Sequence, residues 1–144
     1  MKALHRFWAL SGSDKMFLAG CVTTVAMVRL CLTLFSFNRM RAWLPAMRAE
    51  EVPAPTELKR VAWGIRNAAR LVPGASCLTQ ALSGQIVLAR RGKTSQVRIG
   101  VARDEQGRFI AHAWLVSEGR VVLGGAEANI KRFTPLTDLD WKSR

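Results

Sequence analysis

Near Gly92 the apolar pattern of this chain changes period, from helical spacing to strand-like alternation, and that switch limits the folds open to it. Upstream, residues 57–72 place Leu58, Val61, Ala62, Ile65, Ala69 and Val72 on one helical face, with Lys59, Arg60, Arg66 and Arg70 largely elsewhere and Thr56 as the expected cap. A second helix over residues 77–91 sets Leu78, Ala81, Leu82, Ile86 and Ala89 on one face, begins behind Ser76 and stops at Gly92. Gly84 interrupts it at a cost of about 1 kcal/mol relative to alanine, which suggests that a strand packs close there. Downstream come a β-branched run over 95–102, a turn at 104–107, a strand over 108–116, a turn at 117–119 and a strand over 120–123. Short turns make these an antiparallel meander, with Phe133-Thr134-Pro135-Leu136 adding an edge strand or a clamp over the core. Helices first and strands second give an α+β fold with helices packed on an antiparallel sheet.

A chain of 144 residues can bury a sizeable core, and one compact domain is expected, with a helical region and connector over 1–55 leading into a core over 56–144. Cys21, Cys31 and Cys77 are odd in number and form no Cys-x-x-Cys pair, which argues against a disulfide framework and a zinc site. No metal is expected, and a reducing, cytoplasmic setting fits best. The net charge of +12 is spread along the chain, marks no groove, and gives no reason to expect nucleic acid. No glycine-rich phosphate loop is present, so no nucleotide site is read from the residues.

Residues 14–37 are apolar enough to raise the question of a membrane. Roughly 22 residues at 1.5 Å each would span about 33 Å, close to a hydrocarbon thickness of about 30 Å. Arg29 opposes spanning, since a charge near the bilayer centre costs roughly 2.5–3.5 kcal/mol, and Gly20, Thr23, Thr24 and Thr33 weaken the run further. Asn38-Arg39-Met40-Arg41 follows it where a signal peptide would place a small-residue cleavage site. A buried or groove-lining helix is the favoured reading, and membrane association stays open beside it. The stretch over 41–55, with Pro45, Pro53, Pro55 and Glu50-Glu51, reads as a connector and hinge.

Two residues carry candidate chemistry. Cys77 falls in the first turn of a helix, where unpaired N–H groups and the helix dipole favour a thiolate. His112, in Ala111-His112-Ala113-Trp114, lies on a strand 35 residues later and would serve as its imidazole base. Gln80, one turn beyond Cys77, is a candidate oxyanion or substrate donor, and Trp114, on the His112 face of the strand, either walls a site or packs in the core. Counting back from the turn puts Gly124 opposite His112 if the loop has three residues, and Gly125 if it has two. Neither offers a side chain to orient the imidazole.

Taken together these residues resemble the lasso peptide biosynthesis B2 proteins, leader peptidases of the transglutaminase-like cysteine protease superfamily. The resemblance rests on Arg6-Phe7-Trp8-Ala9-Leu10-Ser11, the apolar helix with Arg29-Leu30, Cys77-Leu78-Thr79-Gln80-Ala81-Leu82 and Val97-Arg98-Ile99-Gly100-Val101. It continues through Phe109-Ile110-Ala111-His112-Ala113-Trp114-Leu115-Val116, Gly119-Arg120-Val121-Val122-Leu123-Gly124-Gly125 and Phe133-Thr134-Pro135-Leu136. It implies a transglutaminase-like, papain-like core in which Cys77 is the nucleophile and His112 the general base, removing the leader from a ribosomally made precursor peptide. The implied partners are that precursor, a separate leader-recognition protein and the lasso cyclase; ATP dependence is associated with the family.

The family's third catalytic residue is an aspartate, and its position here falls at Gly124. Glu127 is the nearest following acid, with Asp138 and Asp140 beyond it, and a backbone carbonyl is the alternative orienting group. Two other functions stay open: a transglutaminase or amidase on the same scaffold, and a non-catalytic basic protein that associates with membranes or nucleic acid.

Overall fold

The computed structural model describes residues 2–35, 39, 49–125 and 130–139. Among the described residues four helices precede four strands: α1 (Lys2–Trp8), α2 (Gly12–Leu34), α3 (Pro55–Leu71), α4 (Cys77–Arg90), then β1 (Gln96–Arg103), β2 (Phe109–Ser117), β3 (Arg120–Leu123) and β4 (Thr134–Leu139). The strands form one antiparallel sheet in the order β3-β2-β1-β4, so the tail becomes an edge strand beside β1.

Side-chain caps set two of the helix starts. The Ser11 hydroxyl accepts the Asp14 N–H at 3.2 Å, and the Ser76 hydroxyl accepts the Thr79 N–H at 3.3 Å. The expected Thr56 cap is corrected: α3 begins at Pro55, behind Ala54 as N-cap, with no side-chain cap bond. Proline suits the first helical position because its fixed φ is already helical and its missing N–H would have no partner there.

Helices α2, α3 and α4 pack on one another, and α4 lies on the sheet. Their shared core holds Cys21, Val25 and Val28 from α2, Val61 and Ile65 from α3, Leu82 and Leu88 from α4, and Val97, Leu115 and Leu123 from the strands. Burial pushes the Cys21 thiol up to about 11, so it stays protonated and inert at neutral pH. Cys31 is half-buried against the same core.

Gly84 is where helix and sheet touch most closely. A Cβ there would stand 2.7 Å from both Leu115 Cδ2 and Leu123 Cδ1, side chains with no room to withdraw. Residues ahead of α3 close the far end of this layer. The Thr94 N–H donates to the Glu51 carbonyl at 2.8 Å, and Lys93 Nζ pairs with Glu51 Oε2 at 2.6 Å. That contact lowers the Glu51 pKa and raises that of Lys93, each mainly through the shared hydrogen bond. The pair is therefore intact between the ordinary values of 4.5 and 10.5, and is lost as acid protonates Glu51 or base neutralises Lys93.

The β2–β3 turn is the two-residue loop Glu118-Gly119, with φ of 49° and 71°, the geometry that matches strand twist in a tight hairpin. Ser117 faces Arg120 and Val116 faces Val121, but Leu115 faces Leu123. Val122 is thus an extra residue, a β-bulge, and it leaves Val122 and Leu123 both buried. The bulge corrects the count from the turn: with one residue added to β3, the continued register sets Gly124 against Trp114 rather than His112.

Replacing Gly84 by valine should force Leu115 and Leu123 out of their rotamers and cost about 1–3 kcal/mol of stability. Thermal denaturation of the variant against the parent chain measures it.

Candidate active site

Cys77 opens α4 immediately after Ser76. Its approach is shaped by the turn out of α3, where the Ala75 N–H donates to the Val72 carbonyl at 3.3 Å and Gly74 adopts φ +74°. The Arg29 guanidinium of α2 lies over that turn, its Nε 2.7 Å from where a Gly74 Cβ would stand, and its Nη1 donates to the Thr33 hydroxyl. Glycine therefore serves both the left-handed turn and the passage of Arg29. Cys77 is half-buried against the helix-side core, as a free thiol. Gln80 is half-buried one turn further on, and its N–H donates to the Ser76 carbonyl at 3.0 Å.

His112 is half-buried on β2, directly across from Gly100 of β1. Its Nε2–H donates to the Gly124 carbonyl oxygen at 2.6 Å. A carbonyl only accepts, so this bond places the proton on Nε2 and leaves Nδ1 as the basic nitrogen. The ring is flanked by Phe133, with centroids 5.3 Å apart, and by Trp114 at 6.0 Å. Trp114 itself is buried with Val116, Ile130 and Phe133, so it is the floor beneath the imidazole. Beside the ring opens a cavity of about 470 Å³, lined among others by Ile110, Gly125, Ile130 and Arg132.

The glycine at 124 makes this arrangement fit. Its φ is +111°, and a Cβ there would run into the Trp114 backbone, 2.8 Å from Cα. The strand thus turns its carbonyl toward His112 at a position no side chain could occupy without strain.

Both candidate residues lie on the elements joined at Gly84, Cys77 on α4 and His112 on β2. Next to the Gly84–Leu115 contact, Gln85 Nε2 donates to the Ser95 carbonyl at 3.5 Å. Cys77 lies two turns back from Gly84, about 10 Å along the helix. His112 lies three residues back from Leu115, also about 10 Å along the strand. Their immediate surroundings differ, because alternation along β2 sends Ala113 and Leu115 into the helix-side core and His112, Trp114 and Val116 to the opposite face. Cys77 accordingly packs in one cluster, while His112, Trp114, Phe133 and the Gly124 carbonyl gather in the other, and Cys77 does not line the His112 cavity. Glu127 and Asp140 fall outside the described residues, as does the side chain of Asp138, whose backbone pairs with Arg98 on the β4 edge. Among the described residues no cluster of His, Cys, Asp or Glu suits a metal ion.

The residues alone gave no place near the site to Arg29, Arg132 or Phe133. Arg29 stood out as the charge within the apolar run and Phe133 as the start of an edge strand or clamp, but only the fold brings Arg132 and Phe133 to His112.

A family model described as the transglutaminase-like superfamily matches residues 23–138 and so spans both Cys77 and His112. No curated protein and no solved structure matches the chain.

Two measurements check this geometry. At pH 7–8 iodoacetamide should alkylate Cys77 and Cys31 in the folded chain and spare Cys21 until denaturant is added, as read by peptide mass mapping. Gly124→Asp should lower stability by about 2 kcal/mol or more, through φ strain and the clash with Trp114, and bring the melting temperature down by roughly 5 °C or more.

Proposed function

The chain belongs to the transglutaminase-like superfamily, a cysteine-protease and acyl-transfer scaffold, and on that premise we propose that it is a cysteine peptidase that removes the leader from a ribosomally made precursor during lasso peptide maturation. What supports this reading is the bond from His112 Nε2 to the Gly124 carbonyl, because it orients an imidazole on β2, the strand against which the Cys77 helix packs. A neutral acceptor is sufficient to orient the ring, since Cys/His enzymes with asparagine as the third group hold the imidazole in the same way. The carbonyl thus takes the orienting role of the family's aspartate.

In the proposed mechanism His112 Nδ1 takes the Cys77 proton, and the thiolate attacks the scissile carbonyl carbon. The oxyanion is held by N–H groups at the start of α4. Collapse of the tetrahedral intermediate breaks the C–N bond as His112 Nδ1 returns its proton to the leaving amine, leaving a thioester on Cys77. Water, deprotonated by the same nitrogen, then attacks the thioester and releases the leader as a carboxylic acid with the thiol restored. The mechanism requires the Cys77 and His112 side chains to be within hydrogen-bond reach in the substrate complex. The precursor, a separate leader-recognition protein and the lasso cyclase are its proposed partners.

With precursor and recognition partner supplied, Cys77→Ala should abolish cleavage and His112→Gln should lower it by about 10²-fold or more, followed by mass spectrometry of the released leader. Unchanged cleavage by Cys77→Ala removes the nucleophile assignment. A leader released as an amide when a primary amine is present assigns amine transfer instead of hydrolysis.

A further inference from the structure

We propose that α1 and the outward face of α2 form a membrane-docking surface, which lays α2 flat in the interface of an anionic bilayer. Helix α2 is apolar on two sides. Its inward side buries Leu18, Cys21, Thr24, Val25 and Val28. Its outward side carries Met16, Gly20, Thr23, Met27, Leu30 and Leu34, separated by alternating steps of four and three residues, so they form one straight stripe with no charge on it. The large members of that stripe stand in solvent: Met16 is 80% exposed, Met27 58%, Leu30 54% and Leu34 64%. A soluble monomer rarely leaves such a continuous apolar stripe uncovered.

The shape of the fold rules on how lipid can cover it. The helix is long and apolar enough to cross a bilayer, with a mean hydropathy of 1.9 over its best window, of which only 28% is buried. Crossing would pull Cys21, Val25 and Val28 out of the core they share with α3 and α4. Lying in the plane of the interface keeps that core and covers the outward stripe.

Charge selects lipid over another copy of the chain. Residues 1–48 contain seven Lys and Arg against one acid, Asp14, which is already paired with Arg60 at 3.2 Å. Arg6 and Lys15, beside the start of the stripe, would meet their like-charged counterparts in a second copy packed along this face, whereas an anionic headgroup layer attracts them. Helix α1 adds the side chains favoured at a membrane interface. Trp8 is 73% exposed and Phe7 46%, and Lys15 Nζ stands 5.5 and 5.8 Å from their respective ring centroids. Aromatic rings beside a lysine at the edge of an apolar stripe fit the headgroup level, apolar bodies inward and charge outward.

The test is sedimentation of the full chain with phosphatidylcholine vesicles that contain or lack phosphatidylglycerol. Binding should be about tenfold stronger with the anionic lipid, fall as salt is raised, and shift the fluorescence of exposed Trp8 to the blue, a shift that Trp8→Phe removes. Met27→Glu with Leu30→Glu should lower binding at least tenfold while melting close to the parent, since both side chains already face water. Arg6→Glu with Lys15→Glu, which leaves the stripe intact, should weaken binding to the anionic vesicles alone. Equal binding to both vesicle types, or binding unchanged by Met27→Glu with Leu30→Glu, overturns the proposal. So does a concentration-dependent dimer that the same double substitution dissolves, which would assign the stripe to a second copy. None of these readouts depends on peptidase activity.

Discussion

The contact of α4 with the sheet at Gly84 is the constraint from which the rest of the molecule is arranged. A residue without a side chain lets the helix settle onto Leu115 and Leu123, and that seating sets the height of α4 over the strands. Cys77, in the first turn of α4, and His112, on β2, both sit on elements that this contact joins. Each residue lies a similar distance from the Gly84 contact, one along a helix rise and the other along a strand rise. The helix N-terminus and the imidazole are therefore placed by packing far from either of them.

A single inserted residue has a comparable effect in β3. The bulge at Val122 breaks the regular count, turns two consecutive side chains inward and sets Gly124 against Trp114. Backbone then replaces side chain as the partner of His112. The glycine's φ of +111° accompanies a carbonyl aimed at Nε2, which fixes the tautomer without adding a charge. It also ties the imidazole to Trp114 packing, because the room that Gly124 needs lies directly over the Trp114 backbone. Orientation of the imidazole and burial of the aromatic floor are parts of one arrangement.

Helix α2 joins this layer to the surroundings. Its inward face completes the core under α3 and α4, and from its flank Arg29 lies over the turn that leads into Cys77. Its outward face repeats apolar residues at a helical period with nothing from the described chain upon it. Mean hydropathy alone cannot separate these two faces, since both are apolar; burial does, by showing which side chains the fold consumes and which it leaves.

The chain's own residues determined the succession of helices and strands, the start of α4 behind Ser76, both turns of the meander and the helix-interrupting glycine at 84, because each depends on local backbone preference or on spacing within one element. They also singled out Cys77 and His112 as the candidate thiol and imidazole. Tertiary structure alone decided three things. The bulge at Val122 is set by how β3 packs beneath α4, so counting from the turn pointed to the wrong partner for Gly124. The return of Ile130, Arg132 and Phe133 to the His112 cavity requires the chain to fold back across the sheet, which no periodicity records. The separation of α2 into a consumed face and an open one depends on which apolar surface the rest of the core can reach, a question of geometry in three dimensions that an evenly apolar helix does not answer in one.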